Sequence, residues 1–278
     1  MKAHAGTGML LMCASAAVLL VSALFIFMHD VLMRGGSFPV EQIKITGARR
    51  LPQDTIARRA GVDTGANILA VNLSKVRKRL ISHPWIADAQ VRREVPAGLW
   101  IRIREHQSMA IVDLGDKFLL NREGRLFKAY QPGIDPQGLP VIRGLSAADV
   151  KVATASPSGK RYSWPGSAEA AEHGFTTANE PMAATIQILK LGQRTESAVP
   201  NHRVQGIRVD RSIGLTLYAF KGTKIIHLGY DDYPEKYRML ATILTQAKRN
   251  RRVPDFTHID LQDINRIVIK PVKQEPSE

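Results

Sequence analysis

Met9 to Met28 reads MLLMCASAAVLLVSALFIFM, twenty residues without a charge. At ~1.5 Å of rise per residue, a helix of that length spans about 30 Å, the hydrocarbon thickness of a bilayer. No other segment of the chain could do this, so a single N-terminal transmembrane helix is expected over residues 9–32. It would follow a cytoplasmic tail of residues 1–8 and hold nearly all the mass on one side of the membrane. Lys2 and the terminal amine flank one end and Arg34 the other, beyond Asp30, charges that lean toward an N-in orientation. A cleavable signal peptide is the competing reading. The apolar run exceeds the usual 7–15 residues, and no small-x-small cleavage site lies between Phe25 and Arg34, which favours an uncleaved anchor.

The body needs no disulfide. Cys13, the single cysteine, lies inside the apolar run, and a chain of this length can bury a core of its own. The net charge of +14 would raise nucleic acid as a partner in a basic cytosolic protein. Here the excess is diffuse. Lys75, Arg77, Lys78 and Arg79 form one cluster and Arg249, Arg251 and Arg252 another, with no aromatic interleaving. Either is a solvated helix face or end, or an attraction for anionic headgroups or an acidic partner.

Periodicity organises the rest. Val40 to Gly47 alternates as a half-buried strand, with Ile43 and Ile45 on one side. Pro52 to Ala60 reads as a short helix stopped by Gly61. A second helix is capped by Ser74, with Leu73, Val76 and Leu80 on its apolar face, and ends at Pro84. Strands follow over Trp85 to Val95 and, after Pro96-Ala97-Gly98, through Leu99, Ile101 and Ile103. The order is β-α-α-β-β, a complete small α+β domain over 38–107.

The run His83 to His106, HPWIADAQVRREVPAGLWIRIREH, behind a strand-helix-helix and one membrane helix, resembles the POTRA domain of the bacterial FtsQ/DivIB cell-division family. Its Pro-Trp pair, Ala-x-Val-x-Arg strand, x-Pro-x-x-Leu turn and Ile-x-Ile-x-Glu strand carry the likeness. Beyond it, strands around Phe118 to Leu120 and Leu126 to Phe127 flank an Asn121-Arg-Glu-Gly124 turn. Leu139-Pro-Val-Ile-Arg-Gly144 resembles an element of the family's second domain. Residues 149–180 are different: 18 of these 32 are Ala, Ser, Gly, Thr or Pro. They read as a mobile surface insertion, in which Tyr162 and Trp164 either contact a partner or lie over the parent domain.

A helix over Pro181 to Leu191 is expected to bury the edge marked by Ile186, Leu189 and Lys190. Strands recur over Val204 to Val209, Leu215 to Phe220 and Thr223 to Leu228. Asp232, with Glu235 three residues later, should cap a helix to about Lys248, its apolar stripe being Tyr233, Tyr237, Leu240, Leu244 and Ala247. Two last strands, Thr257 to Leu261 and Arg266 to Ile269, precede a polar tail, 271–278, expected to be disordered. HLGYDDYPEKYRMLATIL followed by HIDLQDINRIVIK resembles the family's C-terminal half. The expected fold class is therefore α+β: an anchor, a POTRA domain, and a β-rich second domain over 108–270 with flanking helices.

Nothing in the sequence points to catalysis or to a cofactor. The eight histidines lie at least 23 positions apart, so no two share a helix face or strand as metal ligands usually do. There is no G-x-S-x-G, Walker loop, H-E-x-x-H or EF-hand spacing. Asp231-Asp232 reads as helix-capping acid rather than as paired catalytic carboxylates. His227 and His258 read as packed or surface residues. An anchored hydrolase therefore lacks its constellation, and no small-molecule substrate is expected.

What remains is binding through a sheet edge, where unpaired N–H and C=O groups accept a partner's extended segment. The resemblance implies that the last strand receives an FtsB segment, itself paired with FtsL, at the division septum. Carried onto this sequence, the receiving residues are Asn265, Arg266, Ile267, Val268, Ile269 and Lys270, with Asp263 at the preceding turn; Arg211, at the start of the strand before Leu215, is read separately as a companion charge for an acidic partner group. If Ile267 and Ile269 pack inward, Arg266, Val268 and Lys270 face the partner. Without the resemblance the same strand is an edge guarded by Arg266, Lys270 and Pro271. The family's Asp-Leu-Arg-Tyr pattern stands here as Asp260-Leu261-Gln262-Asp263. The resemblance further implies a single-pass type II protein of the inner membrane, its body in the periplasm, acting near the septal peptidoglycan synthase complex. The rival is another POTRA-bearing role, in envelope assembly or secretion.

Overall fold

The computed structural model describes residues 3–34, 38–152, 181–249 and 256–271. The chain divides into two compact units, Met1–Glu105 and His106–Glu278.

Helix α1 (Ala3–Arg34) contains the uncharged run. Its described side chains from 14 to 29 are all exposed. Among the described residues no helix is long and apolar enough to cross a membrane, so the anchor expectation rests on the full apolar run in the sequence.

The rest of the first unit is β1 (Gln42–Thr46), α2 (Gln53–Ala60), α3 (Leu73–Ile81), β2 (Ile86–Glu94) and β3 (Gly98–Glu105). The sheet order is β1-β3-β2, with β1 parallel and β2 antiparallel to β3. The parallel pairing is why two helices intervene, since parallel neighbours need a long crossover. Ile56, Ala60, Val76 and Leu80 of the helices meet Ala89, Leu99, Ile101 and Ile103 of the sheet in one core. Gly61 ends α2 in the left-handed conformation, as its position implies. The N-cap of α3 is Asn72 rather than Ser74: its side chain accepts the Lys75 N–H at 2.9 Å. Both residue types can cap; the difference is that the helix begins at Leu73.

Backbone carbonyls and amides left over by this small fold are served by charged side chains. Arg79 donates to the carbonyls of Ala60 and Gly61, and Arg93 to those of Ile68, Leu69 and Val71. The Glu105 carboxylate accepts from the successive N–H groups of Arg49, Arg50 and Leu51 at 3.0–3.2 Å, a backbone nest closed on an anion of the same chain. Of the first basic cluster, Arg77 and Arg79 are thus engaged within the domain, and Lys75 and Lys78 are exposed.

The second unit contains β4 (Ser108–Leu114), β5 (Asp116–Asn121), β6 (Arg125–Ala129), β7 (Val141–Arg143), β8 (Lys151–Val152), α4 (Pro181–Gly192), β9 (Val204–Asp210), β10 (Gly214–Ala219), β11 (Lys224–Gly229), α5 (Tyr233–Arg249), β12 (Phe256–Asp263) and β13 (Arg266–Pro271). The strands form one ten-stranded sheet, β13-β12-β11-β10-β9-β7-β4-β5-β6-β8. Its two meanders join through a parallel β7–β9 contact. One face carries Val112, Leu120, Ile142, Ile207, Leu217, Ile226 and Ile259, on which Ile188 and Leu189 of α4 and Tyr233, Tyr237 and Leu240 of α5 pack.

The β5–β6 turn forms as its residues dictate. The Asn121 side chain accepts from Glu123 and Arg125, and Gly124 has φ 74° with a Cβ there overlapping Ile186. Helix α4 departs from its expected face. Met182, Ala184, Thr185, Ile188, Leu189 and Leu191 are buried, Ile186 is half-buried and Lys190 is exposed. The helix is covered on more of its circumference than one stripe, so the cation marks its outer side. Most of the insertion (153–180, with Tyr162 and Trp164), Arg251 and Arg252, and the tail 272–278 lie outside the described residues.

Candidate functional site

Among the described residues strand β13 is the end of the sheet and pairs with β12 alone, Ile259 opposite Ile269 and Asp260 opposite Val268. Val268 is 52 % and Ile267 37 % exposed, while Ile269 packs against the core. Ile269 is therefore inward as expected and Ile267 is not, because the ladder shifts register between Asp260 and Asp263 and frees the start of the strand from the helix-covered face. Arg266 and Lys270 are exposed. Among the described residues no side chain bonds to the backbone of Arg266 to Ile269. The Thr257 hydroxyl reaches the Lys270 carbonyl at 3.4 Å.

The turn into β13 is held locally. Asp263 accepts the Asn265 N–H at 2.8 Å and Asp260 the Gln262 N–H at 2.9 Å. The Gln262 amide reaches the Ile213 carbonyl at 3.5 Å, which brings the β9–β10 turn to the same end of the sheet. Gly214 and Gly229 meet there so closely that a Cβ on Gly214 would overlap the Gly229 carbonyl. Arg211 lies in this neighbouring turn. Its guanidinium holds both carboxylate oxygens of Asp149, at 2.9 and 3.0 Å, and its carbonyl accepts from the Tyr230 hydroxyl at 2.6 Å. Its charge is matched within the domain.

Beneath this end lies a residue that the sequence reading missed. Lys236 is 2 % exposed, and its ammonium donates to the carbonyls of Leu228 at 2.7 Å and Tyr230 at 2.5 Å. Burial pulls its pKa below the usual lysine value, opposed by the charges of Asp232, Asp231, Asp260 and Asp263. Leu228 lies near the end of β11 and Tyr230 opens the connection to α5, where Asp231 and Asp232 take φ values of 54° and 48°. The ammonium gives both carbonyls a donor at this turn. Asp232 stands before α5 as expected, but it serves the helix through its carbonyl, which accepts the Lys236 N–H at 3.0 Å. The signal for Lys236 was its phase: with Tyr233, Tyr237 and Leu240 it shares the i, i+3, i+4, i+7 face.

Tyr233 and Tyr237 line the same helix. Burial, aided by Asp231, raises the Tyr233 phenol to about 12, and burial alone raises Tyr237. His227 and His258, 31 positions apart in sequence, sit on the adjacent strands β11 and β12 with ring centroids 6.5 Å apart. Each bonds a threonine, Thr216 and Thr257. Among the described residues no group of three or more potential ligands could hold a metal.

Residues 38–106 match the FtsQ-type POTRA domain, and residues 110–262, more than half of the chain, match the C-terminal domain of the cell division protein FtsQ/DivIB. The chain belongs to the FtsQ/DivIB family. Cell division protein FtsQ of Syntrophotalea carbinolica is 29 % identical over 258 residues, 92 % of this chain and 82 % of the relative. FtsQ of Geotalea daltonii is 26 % identical over 237 residues, 84 % of this chain and 76 % of the relative. DivIB of Geobacillus kaustophilus is 31 % identical over 111 residues, 40 % of this chain and 42 % of the relative. FtsQ/DivIB proteins are non-catalytic proteins of the division site. The C-terminal match stops at residue 262, so β13 lies just beyond it.

Proposed function

We propose that this FtsQ/DivIB chain is a scaffold of the division septum whose last strand docks a partner by strand addition. The observation that carries the reading is β13 itself. It ends the sheet, its apolar residues at 267 and 268 are exposed, and no described side chain occupies its backbone between Arg266 and Ile269. A bare edge of this kind is a template for an extended segment. In this reading the segment comes from an FtsB/FtsL-like subunit, so that the septal peptidoglycan synthase complex is held nearby. Asp263 and Asn265 set the turn, and Arg266, Val268 and Lys270 meet the partner's side chains, with Ile267 adding apolar surface. Arg211, already matched by Asp149, lends the neighbouring turn its shape and offers an acidic partner group a shared cation. The uncharged run in α1 supports single-pass type II insertion in the inner membrane, with both folded units in the periplasm.

Adjacent residues in a strand send their N–H groups to opposite sides. Ile267→Pro and Val268→Pro therefore divide the work: one removes a donor offered to the partner, the other a donor used on β12. Binding of the full chain to FtsB-like peptides should fall about 100-fold, or about 2.7 kcal/mol, in the variant that bares the partner side. Unchanged binding in both would rule out strand addition through this segment.

A further inference from the structure

The first unit has an edge strand of its own, and its middle is filled. Strand β2 pairs with β3 on one side. At Ala89 the carbonyl accepts from the Arg77 guanidinium Nε at 2.8 Å, while the N–H donates to the Asp88 carboxylate at 2.9 Å. The same Arg77 reaches Asp88 at 2.8 Å. Both backbone groups of Ala89 are thus taken by side chains and point away from β3. By the alternation of an antiparallel ladder, the groups of Val91 and Arg93 also face outward. Arg77 comes from α3 and reaches over the rim of the sheet, so a chain approaching β2 meets an ion pair where it needs a donor and an acceptor.

The sequence of β2 is complementary to itself. In an antiparallel pair of two β2 strands centred on Gln90, Ala89 of one copy lies opposite Val91 of the other, and these are residues with outward backbone groups. In that register Asp88 of each copy faces Arg92 of the other on one face of the sheet, giving two opposite-charge pairs, the arrangement that stabilises cross-strand neighbours. Gln90 and Arg92 are exposed. Such an isologous contact needs no other partner.

We propose that Arg77 and Asp88 form a plug that closes the β2 edge against pairing with a second copy of this chain. Arg77 is the piece that must leave, and Asp88, once released, is the piece that would bind across.

The test uses the full chain in mild detergent with Cys13→Ser and Gln90→Cys, oxidised with copper phenanthroline. Residue 90 sits on the two-fold of the paired strands. The plugged chain should give little disulfide-linked dimer, and Arg77→Ala should raise the yield at least fivefold. Adding Arg92→Asp to Arg77→Ala sets Asp88 of each copy against a second carboxylate and should return the yield to that of the plugged chain. An equal yield with and without Arg77, or a dimer indifferent to Arg92→Asp, overturns the proposal. Should Arg77→Ala lower the melting temperature, Arg77→Met keeps the aliphatic stem over the edge and gives the same comparison in a folded chain.

Discussion

Strands β2 and β13 each pair on one side only, yet they carry different equipment. The first is nine residues long, with a cation and a carboxylate lodged on the backbone at Ala89. The second is six residues long, with exposed valine and isoleucine and, among the described residues, no side chain bonded to its backbone from Arg266 to Ile269. An exposed edge is a hazard that proteins ordinarily manage with charges and plugs. One edge has a plug on its backbone, and the other carries only the exposed charges of Arg266 and Lys270 beside its backbone, the difference on which the proposed docking rests. The supports differ in the same sense. The POTRA domain satisfies spare backbone groups with exposed or half-exposed arginines and Glu105, whereas the frame behind β13 is pinned by a lysine taken out of solvent.

The most forceful way to break this contrast is to remove the buried pin. Lys236→Met keeps the stem and strips two carbonyls of their donor, and should cost about 2–3 kcal/mol in urea unfolding of the second unit. Peptide docking on β13 should weaken with it, while the β2 edge stays plugged. A variant with unchanged unfolding would show that water replaces the ammonium and that the frame does not depend on it. Glu105→Gln in the POTRA domain keeps an acceptor on the nest but loses its charge, and about 1–2 kcal/mol is expected from the same measurement. A larger loss there than at Lys236 would reverse the order of the two supports.

Alkaline titration sharpens the comparison with a smaller effect. The POTRA residues contain no tyrosine; the chain's tyrosines all lie at or beyond residue 130. Tyr233, with its folded pKa raised to about 12 from 10, contributes stability that is complete below pH 10 and is lost as pH rises from 10 to about 12. Tyr237 acts in the same direction. Lys236, whose folded pKa is lowered, releases its proton first in the native state, so its contribution rises with pH up to the unfolded value of 10.5. Thermal melts by circular dichroism should therefore show the second unit weakening above pH 10, at up to about 1.4 kcal/mol per pH unit for each tyrosine. The smallest change expected is Tyr237→Phe. Its hydroxyl is buried without a described partner, so the variant should be within about 1 kcal/mol of the parent at pH 7, on the stable side, with a shallower alkaline slope.

Alternation made the strands legible. Leu99, Ile101 and Ile103 are buried on one face of β3 as their spacing demands, and β9 to β13 fall within a residue or two of their expected bounds. Local chemistry placed Gly61 and the Asn121–Gly124 turn. What stayed hidden depends on contacts distant in sequence. The parallel β11–β12 pairing brings His258 beside His227 only after α5 has crossed over. Arg77 and Asp88 read as ordinary surface charges until the helix lies against the strand. Lys236 was legible in phase but not in residue type, since a lysine on an apolar face is ordinarily taken as a boundary. Arg211 was placed by its position before the Leu215 strand, and its engagement with Asp149 depends on a contact across 62 positions.

The parallel step from β11 to β12 has one more consequence. Because β13 pairs with β12, and β12 takes its place beside β11 by a parallel crossover that contains α5, the open edge exists only in a molecule whose α5 and β12 are already in place. A half-made or misassembled molecule would have nothing to offer, and recruitment through that edge would select for finished copies.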